Sequence, residues 1–286
     1  MPEPQVVPDV AAARTWLFVP GDRPDRFEKA RASGADAVII DLEDAVAISA
    51  KQRARHATAA AIAANSTFAV RISPPDSREG ARDLEALAAT GAHPRAVVVA
   101  KAEDPAALDE IGRVLGAPVI ALIESARGVE AAAEIAASTS VVRLALGAVD
   151  LSLDLGSEPD DDVLAPVRSR LVIVSRAAGI APPIDSPSLH IAATERVRAA
   201  AATARRFGMG GKLCIHPAQV PIVASAFLPT IAEIERARAI LDAVAHEGAA
   251  QVEGEMIDLP VIARAQRLLA DAERAIASTT ASHEGA

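Results

Sequence analysis

The sequence has one cysteine, no tyrosine and only 2% aromatic residues in 286 positions. The single cysteine, Cys214, excludes an intramolecular disulfide and a zinc site built from several cysteines in this chain. Scarce aromatic rings argue against a base-stacking surface, and a net charge of −9 argues against a basic one. We therefore expect no nucleic-acid partner.

The sequence also lacks the segments that direct a chain into a membrane. No apolar run approaches the ~18 residues of a membrane span. The first residues, Met-Pro-Glu-Pro-Gln, have neither the basic region nor the apolar region of a signal peptide. We therefore expect a cytoplasmic protein with no membrane partner, and the hydrophobic content of 51% is sufficient for a large core.

The main pattern in the chain is an alternation of short apolar runs with amphipathic segments. Eight strand-then-helix units predict an α/β fold, a parallel (β/α)8 TIM barrel with extra C-terminal helices, and an open doubly wound sheet is the structural alternative. The predicted strands are 15–20, 37–41, 67–72, 96–101, 119–124, 141–146, 181–184 and 212–215.

The predicted domain organisation follows from this alternation. An N-terminal extension (1–13) precedes the barrel domain (14–228), and two more helical segments form a C-terminal helical appendage (229–276). The small polar residues of 277–286 predict a disordered tail. The appendage either packs as a buttress on its own barrel or reaches a neighbouring subunit.

Charged or polar residues follow nearly every predicted strand, at the barrel end where active sites lie. Glu124 follows strand five and Asp150 follows strand six. Two carboxylates on successive strands suit Mg²⁺, which is typically held by one or two carboxylates and keeps its other positions for water and substrate. The other strand ends carry Glu43, Asp44, Arg71, Lys101, Asp185 and His216, each of which alone is compatible with an ordinary surface residue.

Five segments together carry a resemblance to a known family: Arg14–Gly21, Ala35–Val46, Glu124–Gly128, Gly147–Asp150 and Gly211–Pro217. They resemble the HpcH/HpaI aldolase superfamily and, within it, the citrate lyase beta-subunit branch, over about residues 14–275. The resemblance implies a carbon–carbon lyase that uses Mg²⁺ and forms a homo-oligomer, a trimer or a hexamer.

The resemblance also implies roles for individual residues. Glu124 and Asp150 match the two protein ligands of Mg²⁺. Arg71 matches the arginine that binds a substrate carboxylate or carbonyl oxygen, a task that suits its planar fork. Ser73 stands where the family often has Asn, which weakens this part of the resemblance.

The acidic run after strand two separates branches of the superfamily. Glu43 and Asp44 match an acidic pair that holds metal-bound waters or an arginine, whereas pyruvate aldolases have a histidine at the position of Asp44. Lys101 matches a polar strand-four residue, although Ala100 replaces the usual proline. The nearest candidate histidine, His216, belongs to another strand and is also compatible with a structural role.

The segment Gly254–Pro260 favours acyl-CoA thioesters as substrates. It resembles the segment that supplies a catalytic Asp in malyl-CoA and citramalyl-CoA lyases and related malate synthases, often to an adjacent subunit. Asp258 is therefore a candidate base, although its spacing alone favours a helix N-cap. Three arginines are candidates to contact substrate or the phosphates of CoA, with a solvated helix face as the alternative: Arg14, Arg23 and Arg26.

The expected reaction is the cleavage of a 3-hydroxyacyl-CoA thioester, such as malyl-, citramalyl- or citryl-CoA, to an acyl-CoA and a keto acid, or the formation of the thioester from them. Because one methylene contributes only ~1–3 kcal/mol of discrimination, the acyl group stays open. One alternative is a Mg²⁺-dependent aldolase for free 4-hydroxy-2-oxo acids. Another is a citrate lyase beta subunit that acts on a carrier-protein thioester.

Overall fold

A computed structural model describes residues 10–191, 193–247, 251–252 and 255–283. Within them the chain forms two compact units, the first ending at Ala224 and the second beginning at Ser225. Each unit has its own buried apolar residues.

The first unit is a closed barrel of eight parallel strands in sequential order, with β8 returning to pair with β1. The predicted (β/α)8 TIM barrel is therefore confirmed. The strands are β1 (Thr15–Pro20), β2 (Ala37–Asp41), β3 (Ala69–Ile72), β4 (Val97–Val99), β5 (Val119–Ile123), β6 (Val141–Leu146), β7 (Ala181–Asp185) and β8 (Gly211–Cys214). The helices of this part of the chain are α1 (Phe27–Arg31), α2 (Lys51–Ala64), α3 (Arg78–Ala88), α4 (Pro105–Leu115), α5 (Ala126–Ala136), α6 (Ala148–Leu155), α7 (Asp161–Ala178), α8 (Thr194–Phe207) and α9 (Val220–Ala226).

Alternate residues of each strand face the barrel interior and fill it in layers. Ala37 and Ile39 of β2, and Ile120 and Leu122 of β5, belong to one buried cluster inside the barrel. The same alternation, continued by one step at the carboxyl end, reaches charged residues on three strands: Asp41 on β2, Arg71 on β3 and Glu124 after β5. The strand periodicity therefore directs these three side chains into the mouth of the barrel.

Arg143 on β6 closes the opposite, amino-terminal end of the barrel. Its guanidinium donates hydrogen bonds to the backbone carbonyls of Pro182 (2.6 Å), Val10 (3.1 Å) and Ala13 (2.6 Å). It also lies 5.9 Å from the centre of the Trp16 ring. The hydrogen-bond acceptors of this guanidinium are therefore carbonyl oxygens rather than carboxylates. Burial lowers the pKa of Arg143 to about 9.

The second unit contains α10 (Ile231–Glu247), α11 (Leu259–His283) and a short antiparallel pair, β9 (Gln251–Val252) and β10 (Glu255–Met256). Its buried side chains include Ala237 and Ile240 on α10 and Ala265 on α11. Together these side chains give the two helices a shared apolar interface.

The expected disordered tail requires a correction. Residues 277–283 continue α11, while 284–286 lie outside the described residues. Because extending an existing helix needs no new nucleus, and 277–283 contain neither glycine nor proline, small polar side chains do not end the helix there.

By length and composition alone, one stretch of the described residues, Pro217–Ala245, is apolar enough to cross a membrane, with a mean hydropathy of 1.2. The separate helices α9 and α10 occupy it, with Pro229 between them. The absence of a membrane partner stays a prediction.

A buried ion pair connects α2, α3 and the end of β3. Arg55 on α2 donates from Nε to Asp83 on α3 at 2.7 Å and also pairs with Glu79. The second oxygen of Asp83 accepts the backbone N–H of Ser73 at 2.9 Å. Asp83 thereby ties two helices to the segment that leaves the barrel beside Arg71.

Replacement of Asp83 by alanine removes the fully buried partner of Arg55, which keeps its pair with Glu79, and also removes the acceptor of the Ser73 N–H. We therefore expect the free energy of unfolding to fall by about 3–5 kcal/mol. Glu110→Ala, which removes the exposed pair with Arg113, is the matched control and should cost less than ~1 kcal/mol. Equilibrium urea denaturation measures both variants. Equally small losses would show that the buried pair contributes no more than a surface pair.

Candidate active site

Glu124 lies at the mouth of the barrel with only 3% of its surface exposed. Its Oε1 accepts the backbone N–H of Lys101 at 2.8 Å. Burial raises the pKa of Glu124 from 4.5 to about 8; the Lys101 hydrogen bond opposes the rise, and the charges of Glu43 and Asp150 add to it. Glu124 therefore has two other carboxylates within electrostatic range and no cation that fully compensates it.

Lys101 contributes to the site through its backbone. Its φ of 47° lies in the left-handed region, which few non-glycine residues adopt. This conformation accompanies the hydrogen bond from its N–H to Glu124, while its side chain is exposed. Substrate binding by the Lys101 side chain stays a prediction, and sequence reasoning did not find the backbone role.

Gly147 provides the space that the Glu124 side chain occupies. A Cβ at position 147 would lie 2.6 Å from Cβ of Glu124, closer than real carbon atoms approach. Helix α6 begins at the next residue and carries Asp150, half-buried, in its first turn. A helix amino terminus favours a carboxylate in its first turn. Asp150 therefore lies in the first turn of a helix rather than directly at a strand end, and its charge acts on Glu124.

Arg71 is the cation of the site, and Asp41 holds it. Its Nε and Nη2 donate to the two oxygens of Asp41 at 2.7 and 2.5 Å, and its Nη1 lies 3.0 Å from Oε2 of Glu43. The guanidinium also packs 4.7 Å from the centre of the Phe18 ring. Burial alone would lower the pKa of Arg71, but the hydrogen bonds and charge of Asp41 outweigh it and raise the pKa.

Hydrogen bonds to the Asp41 carboxylate and from the Lys51 ammonium group fix the loop after β2. Asp41 accepts the backbone N–H groups of Glu43 (2.8 Å) and Ala45 (3.1 Å). The buried Lys51 donates from Nζ to the carbonyls of Leu42 (2.5 Å) and Glu43 (2.8 Å). Sequence reasoning placed Asp41 at a strand end but gave it no role in holding Arg71, for which the inward periodicity of β2 was an available signal. It did not consider Lys51, which no motif indicated.

The predicted acidic pair of this loop is divided between the interior and the surface. Glu43 is buried, and burial raises its pKa to about 7, although the charge of Arg71 opposes the rise. Asp44 is exposed, and its charge adds to the raised pKa of Glu43. Glu43 therefore belongs to the carboxylate cluster, whereas Asp44 lies at its edge.

The expectation for Arg14 requires a correction. Arg14 precedes the first residue of β1 and therefore lies at the amino-terminal end of the barrel, opposite Glu124. Its N–H donates to Asp36 at 2.8 Å, and its carbonyl accepts the N–H of Lys212 at 2.8 Å. The length of β1 separates it from the mouth, so the topology does not support contact with a substrate there.

Arg23 and Arg26 lie in the segment between β1 and α1, which leaves the carboxyl end of β1. Arg23 pairs with the exposed Asp25 at 2.7 Å, and the Arg26 side chain is exposed. Contact of either side chain with a CoA phosphate stays a prediction.

Asp185 is the last residue of β7 and His216 follows β8, but neither side chain joins the carboxylate cluster around Glu124. The fully buried Asp185 accepts hydrogen bonds from Arg168 on α7 (2.8 Å) and Lys212 on β8 (2.6 Å). Burial opposes its ionisation, but these two cations lower its pKa. His216 is exposed and its Nδ1 accepts the N–H of Ala218 at 3.1 Å, which is the structural role considered above.

Asp258 is the N-cap of α11. Its Oδ1 accepts the N–H of Val261 at 3.2 Å, and the residue is exposed in the second unit. The helix-cap interpretation is therefore what the hydrogen bonds show, and a catalytic role stays a prediction.

The donor chemistry of the site fits a hard divalent cation. Among the described residues, no group of three or more His, Cys, Asp or Glu side chains is arranged to enclose a metal. The carboxylates of Glu124 and Asp150 instead suit a Mg²⁺ ion that keeps its other positions for water and substrate. Burial is the main cause of the raised pKa of Glu124, with the charges of Glu43 and Asp150 adding to it and that of Arg71 opposing it, and a bound cation would lower this pKa.

Comparisons with known proteins identify relatives of this chain. The family model described as HpcH/HpaI aldolase/citrate lyase matches residues 14–217. A citrate lyase subunit beta-like protein of Mycobacterium tuberculosis is 40% identical over 269 residues, which cover 91% of this chain and 95% of that protein. A (3S)-malyl-CoA thioesterase of Cereibacter sphaeroides is 34% identical over 281 residues, covering 94% of this chain and 97% of that protein.

One solved structure extends the comparison to bound ligands. The CitE protein of Mycobacterium tuberculosis in complex with magnesium, acetoacetate and coenzyme A has a TM-score of 0.84 and 38% identity to this chain. The match covers 92% of this chain and all of the solved one.

The raised pKa of Glu124 predicts that the metal-free protein loses stability as pH increases from about 4.5 to about 8. In this range the folded state binds the Glu124 proton more tightly than the unfolded chain, so the free energy of unfolding falls with increasing pH. Glu124→Gln should reduce the slope, with Glu43 supplying the remainder, and Mg²⁺ should reduce it in the parent protein. Thermal denaturation across this pH range tests this, and an identical slope in parent and variant contradicts it.

Proposed function

Because the chain belongs to the HpcH/HpaI aldolase/citrate lyase family, we propose that it is a Mg²⁺-dependent lyase that cleaves, or forms, the carbon–carbon bond of a 3-hydroxyacyl-CoA thioester. Malyl-, citramalyl- and citryl-CoA are the candidate substrates, and the products are an acyl-CoA and a keto acid. The observation that carries the proposal is the cluster of Glu124, Asp150 and Arg71 at the mouth of the barrel.

The ligands of the solved relative support this substrate class. That protein binds magnesium, acetoacetate and coenzyme A, which together supply an oxo-acid group and the carrier of a thioester. In this chain we propose that the oxo-acid end lies at Glu124, Asp150 and Arg71, and that CoA approaches over the loops at the mouth.

When held by Glu124 and Asp150, Mg²⁺ supplies Lewis-acid stabilisation of oxyanion charge on the substrate. Arg71 donates two N–H groups to Asp41, and its Nη1 forms an ion pair with Glu43 at 3.0 Å. The other three N–H groups of the guanidinium can serve a substrate carboxylate or carbonyl oxygen. Because Asp41 fixes the plane of the fork before substrate arrives, Arg71 needs little reorganisation when charge develops.

The reaction needs a base that removes the hydroxyl proton in cleavage, or a proton from the acyl-CoA in the reverse direction. We propose Asp258 for this role, in its own subunit or a neighbouring one. We also propose a cytoplasmic homo-oligomer, a trimer or a hexamer.

A second candidate function is thioester hydrolysis. The malyl-CoA thioesterase relative, 34% identical over 281 residues, favours it. Hydrolysis releases free CoA and a hydroxy acid, whereas carbon–carbon cleavage releases an acyl-CoA and a keto acid, so the products distinguish the two reactions.

The direct experiment offers malyl-, citramalyl- and citryl-CoA and a free 4-hydroxy-2-oxo acid to the protein, with Mg²⁺ and after metal removal. We expect Mg²⁺-dependent release of a keto acid from one CoA ester. Release of free thiol without keto acid supports the thioesterase, and cleavage of only the free acid supports the aldolase. Turnover of none of the four, with activity on a carrier-protein thioester, supports the citrate lyase subunit.

Asp150→Ala in the same assay should lower kcat/KM by ~10²–10³-fold, since a metal ion supplies several kcal/mol of transition-state stabilisation. Asp162→Ala, which removes an exposed aspartate of α7, is the matched control and should retain activity. Retained Mg²⁺-dependent turnover in Asp150→Ala refutes the assigned metal pair.

Asp258→Asn separates the two roles of Asp258, because asparagine is as good an N-cap as aspartate but is not a base. We expect unchanged thermal stability and Mg²⁺ binding, with kcat lowered ~10²–10⁴-fold, the usual contribution of general-base catalysis. Asp258→Ala should additionally lose ~1 kcal/mol of stability. Full activity of Asp258→Asn leaves only the helix cap.

A further inference from the structure

Helix α6, which carries Asp150, has no side-chain cap of its own. Its N-cap residue is Gly147, and no cap side chain is available there to accept the first amide groups. The reason lies in Glu124: any Cβ at position 147 would overlap its side chain. The usual N-cap residues, Ser, Thr, Asp and Asn, are therefore excluded where this helix needs one.

The missing acceptor comes from the next strand of the barrel. Ser186 directly follows β7, is 4% exposed, and its Oγ accepts the backbone N–H of Ala148, the first residue of α6, at 3.1 Å. The residue before it, Asp185, is held by ion pairs to Arg168 and Lys212. A rigid strand end thus supplies the cap that Gly147 lacks.

Helix α6 spans only eight residues and is partly packed: Leu151 is fully buried, whereas Leu153 and Val149 are 81% and 47% exposed. A second hydrogen bond anchors the helix near its other end, where Asp154 accepts the N–H of Ala126 at 2.7 Å. These hydrogen bonds and the packing of Leu151 together set the orientation of the helix, and Asp150 is two residues from the Ser186 bond.

We propose that Ser186 is a positioning residue that caps α6 from the neighbouring strand and thereby orients Asp150 toward the metal. The inference rests on the proposed function in one respect, the assignment of Asp150 as a metal ligand. Ser186 touches neither substrate nor metal in this role; it acts through the first turn of α6.

The test measures metal affinity rather than turnover. The Kd for Mn²⁺, read from the electron paramagnetic resonance signal of the free ion, should rise about three- to tenfold in Ser186→Ala, the loss typical of one hydrogen bond. Ser152→Ala is the matched control: Ser152 is equally buried on the same helix, but its hydroxyl has no hydrogen-bond partner among the residues that the structure describes. We expect its Kd to equal that of the parent protein.

The outcomes separate this inference from the proposed function. Parent protein that binds Mn²⁺, Asp150→Ala that does not, and a raised Kd in Ser186→Ala alone support both. An unchanged Kd in Ser186→Ala, even with a lowered Tm, overturns the positioning role while the metal site stands. Parent-like Mn²⁺ binding by Asp150→Ala overturns the metal assignment itself, and with it the inference.

Discussion

The buried carboxylate of Glu124 is the constraint on which the other features of the site depend. Its position at the end of β5 follows from the strand alternation that also places Ile120 and Leu122 inside the barrel. Around it the backbone of Lys101 adopts a left-handed conformation to donate its N–H, and position 147 has no side chain. Local strain of this kind persists where the surrounding structure over-determines it, which is typical of functional sites.

The site has two poles of opposite charge that depend on each other. At one pole Glu124 and Asp150 offer oxygen ligands to a cation, and burial together with the neighbouring carboxylates raises the pKa of Glu124. At the other pole Asp41 and Glu43 hold Arg71 with its fork oriented. Mg²⁺ held by Glu124 and Asp150 would supply Lewis-acid stabilisation of a substrate oxyanion, and Arg71 would supply hydrogen bonds to it, which suits the proposed aldol-type cleavage.

Sequence patterns predicted the structure correctly where the residues of a single strand determine it. The bounds of β1, β2 and β6 and the closure of the barrel are confirmed, because each strand carries its own apolar run. Roles that depend on tertiary contacts were missed: Asp41 matters because Arg71 lies on the next strand, and Lys51 matters because it donates hydrogen bonds to the β2 loop. Helix α6 was also missed, since Gly147 removes its N-cap signal and three of its apolar side chains, Val149, Leu153 and Leu155, are exposed.

The most direct test of this account is a crystal structure of the protein soaked with Mn²⁺, measured for anomalous scattering. We predict one strong peak at the mouth of the barrel, about 2.0–2.3 Å from a carboxylate oxygen of Glu124 and one of Asp150, with the remaining positions held by water. A peak that lies elsewhere, or that contacts only one of these two carboxylates, contradicts the metal centre on which the proposed reaction depends.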